Sequence, residues 1–243
     1  DVATDLVDTI YTNEGLVKTD LKGVVINGTT LTSIDDEAFK DCTNLESVTI
    51  SNSMQTIGNR AFHSCTSLTS ITFSGTSQVT TVGYAVFSGC SVLNNVTIPD
   101  SVETMGDHVF YNCSALANMS FPDNASFINI GESAFEGTVL TSVTIPDSVQ
   151  TIEDRAFYSC SELTTVVIGT DVQSIGNRAF HSCTKFASIT FSGTSLTTVG
   201  YAVFSGCSVL NNVTIPDSVE TMGDHVFYNC SALANMSFPD NAS

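Results

Sequence analysis

Ile57-Gly58-Asn59-Arg60-Ala61-Phe62-His63-Ser64-Cys65-Thr66-Ser67-Leu68-Thr69-Ser70-Ile71-Thr72-Phe73 decides the fold, because its skeleton returns along the whole 243-residue chain. Its Phe recurs as Phe39, Phe62, Phe87, Phe110, Phe135, Phe157, Phe180, Phe204 and Phe227, at spacings of 23, 25, 23, 25, 22, 23, 24 and 23 residues. Nine units share the template I-G-x-x-A-F-x-x-C-x-x-L-x-x-V-T-I-P-x-x-V. A fixed period of roughly 20–50 residues marks stacked supersecondary units, none of which buries its apolar face alone. The 25-residue units carry their extra residues after the V-T-I segment, at Ser74 to Val79 and Pro122 to Ile128, where a loop absorbs them.

Within a unit, segments such as Val48-Thr49-Ile50 alternate apolar and polar residues, the period of a short strand with one buried face. Stacking makes these strands parallel. The expected inward pairs run from Val48 and Ile50 through Ile71 and Phe73, Met119 and Phe121, and Ile189 and Phe191 to Met236 and Phe238. The A-F-x-x-C segment has the spacing of one helical turn packed on its neighbour. Leu21 to Ile26 fits the strand template as a tenth rung, leaving residues 1–20 as an expected N-terminal cap and residues 21–243 as one solenoid.

These motifs closely resemble the BspA-like, Treponema-type class of leucine-rich repeats across about residues 21–243. The departures are local: Asp35 and Glu153 replace the Gly, Thr138 the Cys and Phe186 the Leu. The resemblance implies an α/β repeat solenoid, a right-handed superhelix with a parallel sheet on its concave face and short helical or 3-10 turns on the other side. It also implies extracellular binding of host or matrix proteins.

A second symmetry lies over the first, residues 58–126 being duplicated as 176–243. Residues 80–126 and 197–243 are identical, and 58–77 match 176–195 except that Ser67, Leu68 and Thr69 become Lys185, Phe186 and Ala187. Any surface of the first block is thus presented again in the second, which favours polyvalent contact over a unique pocket.

Composition excludes several functions. Charged residues make up 13% of the chain, about half the ~25% of an ordinary domain, and seven Lys and Arg against 25 Asp and Glu give a net charge of −18. Seven cations do not neutralise a phosphate track, so no nucleic acid is expected as partner. No apolar run has the length of a transmembrane segment.

The eight cysteines all occupy one template slot, three residues after the repeat Phe, and so read as an inward ladder of small buried residues. Pairing of adjacent rungs, Cys42 with Cys65 for example, is the minority alternative. No C-x-x-C or nearby His completes a zinc site, and no clustered D-x-D-x-D loop offers a calcium site, so no metal or cofactor is assigned. His63, His108, His181 and His225 are two positions used twice, read as solvated surface. Asp100, Asp147 and Asp217 follow a Pro, where Asp bonds its own backbone in a turn. No slot holds a unique acid, base or nucleophile, so no enzyme is expected.

Two faces remain as candidate contact surfaces. The outward positions of the sheet form a neutral hydroxyl and amide ladder: Ser47, Thr49, Ser70, Thr72, Asn95, Thr97, Asn118, Ser120, Ser142, Thr144, Asn212 and Thr214. It suits glycans or a broad weak contact, though Thr favours strands in any case and the Tyr, Trp and Arg of protein hot spots are missing. The rival is an aromatic row, with Tyr111, Tyr158 and Tyr228 directly after a repeat Phe and Tyr84 and Tyr201 nearby in the same turns. Among nine N-x-S/T sequons, Asn27, Asn124 and Asn241 in loops are the candidate glycosylation sites.

The sequence stops one strand past a complete rung at Ser243 with no capping pattern, so self-association through that end is expected if nothing else covers it. The reading is a non-catalytic adhesion or protein-interaction module, extracellular or on a cell surface, binding a protein or glycan on another cell or in the matrix. The alternative is a structural subunit of a surface filament or coat, assembled by end-to-end stacking.

Overall fold

The computed structural model describes residues 20–26 and 31–237. The cap segment up to residue 19 and the last six residues, on which the open-end expectation rests, lie outside the described residues. Two compact units divide the chain, Asp1–Asn124 and Ala125–Ser243.

Each coil contributes a two-residue strand before its repeat Phe and a three- or four-residue strand after it. The first unit holds β1 (Gly23–Ile26), β2 (Ser33–Ile34), β3 (Ser47–Ile50), β4 (Thr56–Ile57), β5 (Ser70–Phe73), β6 (Thr81–Val82), β7 (Asn95–Thr97), β8 (Thr104–Met105) and β9 (Asn118–Ser120). The second holds β10 (Asn129–Ile130), β11 (Ser142–Thr144), β12 (Thr151–Ile152), β13 (Thr165–Ile168), β14 (Ser174–Ile175), β15 (Ser188–Phe191), β16 (Thr198–Val199), β17 (Asn212–Thr214), β18 (Thr221–Met222) and β19 (Asn235–Ser237). All pairings are parallel and in template register, Val48 opposite Ile71 and Ile50 opposite Phe73. The short strands form a second ladder in each unit, β2-β4-β6-β8 and β10-β12-β14-β16-β18. That ladder was missed in the sequence, although the pairs Thr56-Ile57, Thr81-Val82 and Thr104-Met105 stand at a fixed offset from the Phe.

The long strands of the second unit run β11-β13-β15-β17-β19, but those of the first divide into β1-β3-β5 and β7-β9. No ladder pair joins β5 to β7, and at the duplicated place β15 and β17 keep one, Ser188 with Asn212. The Ser74 to Val79 loop separates β5 from β7, and its counterpart Ser192 to Leu196 is one residue shorter.

The expected helical turns are absent from the described residues. In every coil the residues two before and two after the repeat Phe are left-handed, as Arg60 (φ 54°) and Ser64 (φ 58°) are, and a right-handed helix admits neither. Backbone N–H groups there alternate in direction. Those of Ala61, His63 and Cys65 donate three residues back, while those of Arg60, Phe62 and Ser64 donate to Tyr84, Val86 and Ser88 of the next coil at 2.7, 3.0 and 2.8 Å. The physical reason is room: an α-helix with its side chains is about 10 Å across, whereas the Phe rings of successive coils lie 5.2–5.8 Å apart.

Those Phe rings are the spine of each core. Phe39, Phe62, Phe87 and Phe110 stack in one unit, and Phe135, Phe157, Phe180, Phe204 and Phe227 in the other, with interplanar angles no greater than 16°. Such offset stacking contributes about 0.5–1.5 kcal/mol per pair beyond burial. Phe186, in the Leu slot, joins the column 5.7 Å from Phe180 and 6.1 Å from Phe204.

The cysteines are free, and all but the half-buried Cys230 are buried. Their role is more specific than filling space. Each described thiol from Cys65 onward donates to the carbonyl of the previous coil's repeat Phe: Cys65 to Phe39 at 3.1 Å, Cys113 to Phe87 at 3.0 Å, Cys183 to Phe157 at 3.2 Å. Thr138 also donates from this slot, but within its own coil, its hydroxyl bonding Phe135 O at 2.9 Å. Burial pushes the Cys113 thiol up to about 12, and Cys65 and Cys207 higher, so these sulfurs stay protonated donors.

Burial corrects some expected inward pairs. Val48, Ile50, Val166 and Ile168 are buried, but Ile71, Phe73, Ile189 and Phe191 are only half-buried, because the next long strand parts from theirs. Met119 and Phe121 are half-buried too, Met236 on the terminal strand β19 is 38% exposed, and Phe238 lies outside the described residues.

The template Gly is fixed by the same close approach. A Cβ on Gly58 would stand 2.6 Å from the backbone N of Asp36, and one on Gly106 2.8 Å from Tyr84 N. Gly58→Ala is therefore expected to cost about 1–3 kcal/mol, read as a lower urea midpoint with an unchanged slope. With iodoacetamide at pH 8, Cys230 is expected to react first and the buried cysteines only on unfolding; uniform native reactivity would contradict the buried thiol ladder.

Candidate functional site

The left-handed turns project their side chains on one face of each unit, and that face collects the residues most used in recognition. The chain has three Arg and four His. Arg60, Arg155, Arg178, His108 and His225 all stand two residues before a repeat Phe, and His63 and His181 directly after one. Five of the six Tyr share these turns.

The row is built by ring and cation contacts that alternate between neighbouring coils and within one coil. The Arg60 guanidinium lies 5.4 Å from the Tyr84 ring centre, Tyr84 5.3 Å from His108, and His108 5.5 Å from Tyr111. The duplicate repeats it, with Arg178 5.4 Å from Tyr201, Tyr201 5.5 Å from His225 and His225 5.6 Å from Tyr228. Tyr158 stacks on His181 at 5.0 Å, with Arg155 6.0 Å from its ring. A cation over an aromatic face gains about 0.5–1 kcal/mol where exposed, so the rings hold the guanidinium groups in place.

Beneath them runs a polar bracket. Asn59 takes Asp36 with its backbone N–H at 2.6 Å and its side-chain amide at 3.2 Å, and its own oxygen accepts the Tyr84 N–H at 2.8 Å. Asp154, Asn177 and Tyr201 repeat the arrangement at 2.6, 3.0 and 2.8 Å. In the first block Glu37 adds ion pairs to Lys40 at 3.0 Å and Arg60 at 3.3 Å, which hold its carboxyl below the usual range. Asp36, Glu37, Asn59, Arg60 and Tyr84 line a cavity of about 400 Å³.

The expected tyrosines are thus brought together with partners the sequence reading did not assign, the arginines above all. Their signal was available: every Arg occupies one template slot. Tyr84, Tyr201 and Tyr228 are 39%, 40% and 58% exposed, while Tyr111 and Tyr158 are half-buried. The histidines are not simply solvated. His63, His108 and His181 are half-buried, and Nδ1 of His63 and of His108 reaches no hydrogen-bonding partner.

The sheet face is separate from this row. Ser47, Ser70, Thr72, Asn95, Thr97, Asn118, Ser120, Ser142, Thr144, Asn212 and Thr214 are exposed along it, with Thr49 half-buried. Two other expectations change. Asp100 and Asp147 accept from the next coil, from Asp123 N at 3.0 Å and Thr170 N at 2.9 Å, rather than from their own turns. Of the sequon candidates, Asn27 and Asn241 lie outside the described residues, and the Asn124 amide donates to Val102 O at 3.3 Å.

The family described as BspA type leucine rich repeat region matches residues 12–129 and 128–243, in six copies. The chain belongs to this BspA-type family. Among solved structures, a leucine-rich repeat protein of T. pallidum is 26% identical with a TM-score of 0.58, over 80% of this chain and 79% of that one. The pneumococcal vaccine antigen PcpA is 22% identical with a TM-score of 0.58, over 92% of this chain and 61% of that one. A leucine-rich repeat protein of Bacteroides ovatus is 22% identical with a TM-score of 0.51, over 91% and 74%. No curated protein matches the chain. Among the described residues no helix is long and apolar enough to cross a membrane.

In this BspA-type chain, burial lowers His63 and His181 below the ordinary imidazole value of 6.5. The unfolded chain then binds these protons more readily. The histidines' contribution to stability is full above pH 6.5 and declines as pH falls toward their folded values. Replacing both by Gln is expected to shrink the loss of melting temperature between about pH 7 and 5; parallel pH profiles for parent and variant would contradict this.

Proposed function

We propose that this chain is a non-catalytic adhesion module, extracellular or at a cell surface, that holds a protein partner through its turn-face row of Tyr, Arg and His. One observation carries the reading: the side chains enriched in protein hot spots are gathered on one face and stacked there from coil to coil, while the sheet face has none of them. Stacking lowers the entropy lost when a ring or guanidinium is fixed by a partner, which is the general advantage of preorganisation. The duplication supports polyvalence, since Arg60-Tyr84-His108-Tyr111 recurs as Arg178-Tyr201-His225-Tyr228. The family match supports a repeat scaffold, and exposure outside the cell is in keeping with PcpA being a vaccine antigen.

Binding to a panel of purified matrix and cell-surface proteins tests the reading. Tyr84→Ser with Tyr201→Ser is expected to lower affinity for the captured protein by roughly 30-fold or more, at about 2 kcal/mol per hot spot. Each single variant should lose less, because the other copy remains. Full binding by the double variant, with loss in Thr144→Lys on the sheet face, would move the contact to the sheet.

A further inference from the structure

The seam between β5 and β7 opens a groove of about 820 Å³ on the sheet face of the first unit, within the roughly 300–1,000 Å³ range of small-ligand sites. We propose that this groove binds a neutral oligosaccharide, at a site independent of the turn-face row.

The lining selects the ligand class. Ser70, Thr72 and Thr76 present hydroxyls from one side, together with Thr69, whose hydroxyl donates to Glu46 O at 2.9 Å and keeps its lone pairs for a ligand, and Asn94 and Asn95 present amides from the other. No Lys or Arg lines it, so an anion finds no counter-charge. Asp100 is its only carboxylate, and one Asp100 oxygen already accepts from Asp123 N, so a cation finds no ligand set. Tyr and Trp are missing as well, which removes the anchors a protein would use. What remains is a dense set of neutral donors and acceptors beside the apolar surfaces of Phe73 and Pro99, complementary to a ring with hydroxyls on its rim and C–H groups on its faces.

Divergence between the copies points to the same place. Blocks that are otherwise identical differ at Ser67 to Thr69, in the extra residue Gln78 and at Val79, which is Leu196 in the second, on both sides of this seam. In the second block Thr69 becomes Ala187, the loop is one residue shorter, and one ladder pair closes β15 on β17. The polyvalence expected of the duplication therefore does not extend to this groove.

The second block supplies the test, because it shows changes that the same coil accepts. The chain is screened against neutral oligomers of glucose, galactose, mannose and N-acetylglucosamine, and hits are titrated calorimetrically. One equivalent per chain is expected. Thr69→Ala with Val79→Leu and deletion of Gln78 should weaken binding at least tenfold, whereas Tyr84→Ser should leave it unchanged. If the grafted chain fails to fold, Thr72→Val, at an exposed lining position, should give the same loss. No binding to any neutral oligomer, two equivalents per chain, or unchanged affinity in the folded groove variants would overturn the proposal. The protein-binding reading is judged separately by the Tyr variants.

Discussion

Every coil must lie about 5 Å from a near copy of itself, and the rest of the structure follows from that spacing. A side chain in this lattice survives only if its own translate is a good neighbour. Phe does so by offset stacking, a Cys thiol by reaching the carbonyl of the previous Phe, and Asn59 by bridging Asp36 to Tyr84. Charge does not: like groups stacked at 5 Å repel at about 1 kcal/mol even in water. The low charged fraction is thus a property of the lattice.

The same spacing explains why the turns are strained and not helical. Left-handed residues cost roughly 1–2 kcal/mol each outside Gly, and most of these turns use Arg, Ser, His, Asn or Ala there. The cost is offset because the alternating conformation aims every second N–H at the next coil, as those of Arg60, Phe62 and Ser64 reach Tyr84, Val86 and Ser88, which gives these backbone donors acceptors. The arrangement also turns side chains outward at regular intervals. Strain in the backbone and the regular display of Tyr and Arg have one cause.

The repeat, its parallel strands, most of its inward residues and the two candidate faces were legible in the sequence, because period and polarity alone determine them. The second ladder was not, since two residues such as Thr56-Ile57 carry too little alternation to read as a strand. Nor was the course of the turn: A-F-x-x-C has helical spacing, and only the distance between neighbouring coils rules the helix out. The cysteines read correctly as small and buried, yet Thr138 held the further clue, because a hydroxyl in that slot implies a donor with an acceptor waiting. The arginines were overlooked because no coil holds more than one; for Arg60 and Arg178 the ring comes from the next coil, Tyr84 and Tyr201, and cation and ring meet only on stacking.

Duplication first argues against any unique site, and the two copies do keep the turn-face row intact. At one seam they do not. An inserted residue in a solenoid is not absorbed silently: β5 keeps its register with β3 and β7 its register with β9, and the pairing given up is the one between β5 and β7. The Ser74 to Val79 loop separates β5 from β7, whereas the shorter Ser192 to Leu196 loop lets Ser188 find Asn212. One loop residue, with the neighbouring changes of Thr69 to Ala187 and Val79 to Leu196, thus distinguishes surfaces that are otherwise equivalent, one with a ladder pair across the seam and one without. In an array whose lattice forbids most changes to the core, loop length is the variable left free to give one copy a property the other lacks.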